Sequence, residues 1–189
     1  MKRNDEGFTG LEAAIVLIAF VVVAAVFSYV VLGAGFFTTQ KAQETVYKGV
    51  EQSTANIQMI GNVYGMSTDY STSPPGNISR VTFSIGLAPG APSVDLTKMK
   101  IVFSTPTTGP VILEQGSVNS NTVFSTRLNG NPAFNNQSMN ANDQIEINFT
   151  TALVPPNTKM NIELRPSVGA ALPFAKTAPA TITATNVLY

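Results

Sequence analysis

The chain contains no cysteine and no histidine. The first absence removes disulfides as a source of stability, without excluding any compartment. The second removes more: Ser-His-Asp and Cys-His catalysis, and zinc or iron sites built on imidazole, cannot be assembled from these residues. Charge is scarce as well, at 12% of the chain, where roughly a quarter is usual for a soluble domain. The 11 basic residues balance 11 acidic ones, so no positive excess exists to grip a phosphate backbone, and nucleic acid is not an expected partner. Ser, Thr and Asn fill the polar positions instead. Such a surface has little like-charge repulsion, which suits a subunit that packs against copies of itself. It suits many secreted β-domains equally well.

What the chain does have is one long apolar run. From Ala13 to Phe37 it reads AAIVLIAFVVVAAVFSYVVLGAGFF, without a charge. As a helix this is roughly 37 Å, at about 1.5 Å per residue, enough to cross a bilayer core of about 30 Å with some tilt. Its apolar residues lie on every face, so the segment calls for burial all round: in lipid, in a large core, or in a bundle of identical helices. Helical periodicity continues through Ala42, Val46, Val50, Ile57 and Ile60, with Lys41, Glu44, Lys48 and Glu51 on the other faces. The expected helix therefore runs from Phe8 to Gly61, on the order of 80 Å. Gly33 and Gly35 fit either close helix approach or tolerated membrane glycines.

The head, MKRNDEG, is too short and too charged for a secretory signal with its own apolar core. The apolar stretch lies after its small residue, so a cut between Gly7 and Phe8 removes the polar head and leaves the helix on the mature chain. Glu12 then stands at the threshold of the apolar run, where a carboxylate is costly. Thr9-Gly10-Leu11-Glu12 matches the T-x-x-E capping box, and an acid in the first turn meets the positive end of the helix dipole. Alternatively, Glu12 neutralises a freed amine at Phe8, its own or a neighbour's. The two roles are compatible.

Beyond Asn62 the period changes to two. Val81, Phe83, Ile85 and Leu87 alternate with polar neighbours, as do Ile145, Ile147 and Phe149, then Met160, Ile162 and Leu164. MKIVFST, VILEQ, NTVFSTRL and ATITATNV add further strands, separated by SPPG, APGAP, TPTTGP, NGNP and VPP. About eight short strands of this kind predict an immunoglobulin-like antiparallel β-sandwich over residues 62–189. The fold class is α+β. The acids of this half are Asp69, Asp95, Glu114, Asp143, Glu146 and Glu163, and nothing positions two of them as a catalytic pair. The Asn140 to Asp143 stretch offers oxygen ligands for calcium, but without EF-hand spacing. No enzyme, cofactor or metal site is expected. Three sequons, at Asn77, Asn136 and Asn148, are candidate N-glycosylation sites, though the composition alone would produce about three.

EGFTGLEAAIVLIAF at the front, with DLTKMKIVFST at 95–105 and NTKMNIELRPSVGAALPFAKTAPATI at 157–182, resembles the archaellins (archaeal flagellins), relatives of type IV pilins. One departure is Glu6, where many family members have a basic residue. The resemblance implies a class III signal peptide at residues 1–7, removed between Gly7 and Phe8 by a prepilin-type peptidase. It implies a helix at 8–61 that serves as membrane anchor and then as filament core. Glu12 would be the fifth mature residue, where pilin-like proteins often carry an acid for assembly. The implied function is a structural subunit of a swimming filament, an extracellular helical homopolymer; whether related archaellins share the filament is left open. The implied partners are the peptidase, an assembly ATPase and a membrane platform protein, with the precursor held in the cytoplasmic membrane. Two other readings stay open at this point: an adhesive type IV-like pilin, and a single-pass anchored ectodomain that never polymerises.

Overall fold

The computed structural model describes residues 5–68, 76–117, 120–128, 131 and 137–189, with side-chain surroundings given from Gly10 onward. The chain divides into two units, Met1–Lys48 and Gly49–Tyr189. One helix, α1 (Asp5–Thr54), accounts for all described residues of the first. Nothing in its sequence breaks it: the first proline of the chain is Pro74, and its five glycines are spread over 50 residues, at a cost of about 1 kcal/mol each relative to alanine.

The helix stops at Thr54, not at the expected Gly61. Ile57 and Ile60 are three apart, which mimics helical spacing, yet IQMIGNVYGM is a strand, β1 (Ile57–Met66). Pairing with two neighbouring strands outweighs the local period. The joint is built on contact. Ala55 is fully buried, and Gly169, at φ +100°, comes so close that a Cβ there would lie 1.7 Å from the Ala55 carbonyl oxygen. Only glycine permits both that conformation and that approach.

The remaining strands are β2 (Ile78–Leu87), β3 (Val94–Asp95), β4 (Lys100–Ser104), β5 (Val111–Gln115), β6 (Val123–Leu128), β7 (Ser138–Met139), β8 (Gln144–Val154), β9 (Lys159–Arg165), β10 (Leu172–Thr177) and β11 (Thr185–Leu188). Nine form one sheet in the order β10-β9-β4-β5-β6-β8-β2-β1-β11, and β3 pairs with β7 apart from it. Every pairing is antiparallel except β5 with β6. The sheet rolls over on itself. Phe83 on β2 meets Phe174 on β10 edge-on at 5.3 Å between centroids, and Phe149 on β8 meets Phe103 on β4 at 5.7 Å. Two layers thus face each other as in a sandwich, but they are also hydrogen-bonded to each other. They join through the parallel β5–β6 pair on one side. On the other, Thr177 and Tyr189 exchange backbone bonds.

Alternation explains the core. Ile145, Ile147 and Phe149 of β8 and Met160, Ile162 and Leu164 of β9 are buried, while their neighbours Glu146, Asn148, Asn161 and Glu163 point outward. In β1 the register shifts between Ile60 and Tyr64, at Gly61 with φ +74°, a bulge that only a residue tolerant of positive φ makes cheaply. It returns Val63 to the core and leaves Tyr64 on the outer face.

Candidate assembly surface and processing site

Among the described residues, the apolar surface of α1 is exposed along its length. Every large apolar side chain from Leu11 to Phe37 is between 51% and 81% exposed. Each is worth about 1.5–3 kcal/mol when buried, so together they represent tens of kcal/mol of unmet burial. The span is long and apolar enough to cross a membrane, with a mean hydropathy of 3.0 over its best window.

The polar side chains of α1 are arranged to suit such burial. The Thr38 hydroxyl donates to the Ala34 carbonyl at 2.8 Å, and that of Thr39 to the Gly35 carbonyl at 2.9 Å. Thr45 and Thr54 do the same to Lys41 and Val50. Their hydroxyls are thus satisfied inside the helix. Below them Glu44 bridges two lysines, Lys41 at 2.8 Å and Lys48 at 2.6 Å.

Gly7 and Phe8 lie within α1. Because the helix begins at Asp5, Thr9 is inside it in the uncut chain rather than preceding it, so the capping box does not open the helix as expected. Glu12 is exposed, at the edge of the apolar surface. Among the sequons, Asn77 is half-buried just before β2. Asn148 sits mid-strand on β8, its side-chain amide donating to the Thr82 hydroxyl at 2.9 Å. Asn136 lies outside the described residues. The stretch considered for calcium is a closed turn: Asp143 Oδ2 accepts both the backbone and side-chain N–H groups of Asn140, each at 2.9 Å. The threonine back-bonds and the Ala55–Gly169 joint had no signal in the sequence, since scattered threonines and isolated glycines are common in any chain.

An exposed apolar helix, followed in sequence by a β-domain with its own packed core, defines a class: a protein whose helix is made to be buried on association. The profile of the archaeal-type flagellins matches residues 7–175. Probable flagellin 1 of Archaeoglobus fulgidus is 38% identical, over 98% of this chain and 96% of its own length. Probable flagellin 2 of the same organism is 36% identical, over 97% and 94%. The archaeal flagellum of Methanospirillum hungatei strain JF1 is a similar solved structure, with a TM-score of 0.72, 32% identity, and coverage of 95% of this chain and 99% of that one. The chain belongs to the archaeal-type flagellin family.

Proposed function

We propose that this flagellin is the structural subunit of an archaeal flagellar filament for swimming, made as a membrane-held precursor and assembled outside the cell after its polar head is cut off. The exposed apolar surface of α1 carries this reading, since a chain with tens of kcal/mol of unmet burial must be covered by lipid first and by other copies afterwards. Transfer from lipid to a helix bundle gains little hydrophobic free energy, because both are apolar. Side-chain packing, the charged lower part of the helix and contacts between β-domains therefore hold the polymer together. Subunits add head-to-tail through an operator that does not close.

A prepilin-type peptidase cuts between Gly7 and Phe8, and an assembly ATPase and a membrane platform protein drive insertion. Cleavage also changes the helix start. With Asp5–Gly7 gone, Thr9 stands in the first turn, and the Thr9–Glu12 capping box becomes available where the uncut helix excludes it. Glu12 in addition faces the amine freed at Phe8, whose ordinary pKa near 8 leaves it charged at neutral pH. Of the sequons, Asn77 is better suited to carry a glycan than Asn148, whose amide is engaged with Thr82.

N-terminal sequencing of material sheared from cells tests the pathway. Filament-borne chains should begin at Phe8, and Glu12→Ala chains should be cut normally but fail to form filaments. Surface chains that retain Met1 and sediment only with membranes would make this protein an anchored ectodomain instead.

A further inference from the structure

We infer that the apolar stripe on the second half of α1, formed by Ala42, Val46 and Val50, packs in the filament against the outer face of β1 and β11 of another copy. This rests on the filament reading above and adds to it the β-domain surface that a neighbour's helix covers.

The helix supplies the first observation. At about 100° per residue, Lys41, Glu44, Lys48 and Glu51 fall within one arc of about 80°. Ala42, Val46, Gly49 and Val50 fall within about 100° on the opposite side. Glu44 bonds to Lys41 at 2.8 Å and to Lys48 at 2.6 Å, so the charged arc is satisfied by its own helix and is at home in water. The stripe is not, with Val46 63% exposed and Val50 56%. It continues the all-round apolar surface of Ala13 to Phe37, which the filament buries, so other copies already run beside it. Gly49 adds room: a Cβ there would meet nothing within 4 Å, and a large side chain can approach the bare backbone.

The β-domain supplies the second. β1 and β11 contain no charged residue. On their outer face Tyr64 lies directly across from Val187, with Ile60 beyond the bulge, and the three are 37% to 48% exposed. Beside Tyr64, the Thr82 hydroxyl already accepts the Asn148 amide, so drying this face strands no polar group there. The outer face of the other layer differs. Lys100 pairs with Glu114 there, and Arg165 with Glu163, each at 2.9 Å, a surface suited to solvent. Each copy thus carries two uncovered apolar surfaces of different shape, a helical stripe and a sheet face. Stripe against stripe would leave the sheet face in water. Stripe against sheet covers both, and a contact between unlike surfaces lets every copy engage one neighbour through each, so the series stays open.

The absence of cysteine makes the test direct. Single variants Val46→Cys, Tyr64→Cys, Val187→Cys and Glu114→Cys are treated with a maleimide, as filaments and as detergent-dispersed chains. The first three should react several-fold more slowly in filaments, and Glu114→Cys equally fast in both states. Unchanged rates for Tyr64→Cys and Val187→Cys overturn the inference, as does equal protection of all four. Protection of Val46→Cys alone overturns it too, by placing another helix on the stripe. A short bis-maleimide then identifies the partner. Filaments of the Val46→Cys/Tyr64→Cys chain should give a ladder of covalent multimers on a denaturing gel, which neither single variant gives. A link within one chain, or no link, sinks the contact while leaving the filament reading intact. Val50→Cys/Val187→Cys, which alters only valines, replaces this pair if the Tyr64 variant does not assemble. If the unaltered chain formed no filaments at all, the filament reading itself would fall.

Discussion

Phenylalanine meets two opposite fates in this chain. In the β-domain Phe83, Phe124 and Phe149 are less than 2% exposed, while in the helix Phe20, Phe27, Phe36 and Phe37 are 62–74% exposed. The difference lies in what each region can bury by itself. A strand hides one face against a second layer of the same chain, and the rolled sheet supplies that layer. A lone helix that is apolar all round cannot bury its faces against itself, so its burial comes from lipid or from other copies. One region is stable as a folded unit, and the other acquires its stability on association. The filament reading is this asymmetry stated as function.

The most direct way to break the comparison is to cut the chain between the two units. Deleting residues 1–48 should leave a soluble, monomeric domain that unfolds in one cooperative step. The full chain without detergent should aggregate or polymerise. Size-exclusion chromatography and urea unfolding check this, and a truncated domain that is itself aggregated would show that its core depends on the helix. Within the surviving domain, Phe149→Ala removes a ring that packs on both Phe83 and Phe103, and should cost about 3–5 kcal/mol. Phe27→Ala in the full chain should leave the urea midpoint of the β-domain unchanged and lower only the temperature at which filaments dissociate. Equal effects on the domain from both substitutions would erase the distinction between the regions.

The comparison sharpens where helix meets strand. Gly169→Ala places a methyl group against the Ala55 carbonyl, at a positive φ that an L side chain rarely adopts. The substitution should destabilise the second unit by at least about 1 kcal/mol. Gly90→Ala, also at positive φ but with open space around it, isolates the backbone part of that cost. A Gly169→Ala penalty no larger than the Gly90→Ala penalty would mean that the close approach to Ala55 contributes nothing.

How much of this was legible in the sequence follows from the same physics. Strands β2, β4, β5, β6, β8 and β9 could be read directly, because a half-buried strand writes its two faces as alternation. The start of β1 reads as helix, since Ile57 and Ile60 satisfy the helical period and only tertiary pairing reveals the bulge at Gly61. β10 carries no strand signal: Pro173 lies within it, tolerable because β10 is an edge strand of the sheet. ATITATNV was expected as one strand, yet only its end belongs to β11, because Thr183 and Asn186 tie the preceding residues into a side-chain-bonded turn. The two-residue strands β3 and β7 are too short to carry any period. At the front, Gly7, Phe8 and Glu12 were legible through the family's motif and not through packing, because a residue whose surroundings are other copies leaves no alternation in its own chain.

The smallest expected effect concerns acid, and it separates the regions once more. Asp95 caps the short turn Leu96–Lys98. The Thr97 hydroxyl, then Lys98 at 3.0 Å, hold its carboxyl at about 2, below the ordinary value near 3.9. A folded-state pKa below the unfolded one means that the unfolded chain binds this proton first. The contribution of Asp95 is therefore complete above about pH 4 and is lost as pH falls toward 2. Asp95→Asn removes that dependence. Urea midpoints of the truncated domain at pH 6 and pH 2.5 should differ more for the unaltered protein than for the variant. The gap between the two proteins should be modest, because the carboxylate is exposed and solvent screens its partners. Equal midpoint shifts in the two proteins would show that acid sensitivity resides elsewhere, with Glu163, held low by its bonds to Arg165, the next residue to replace.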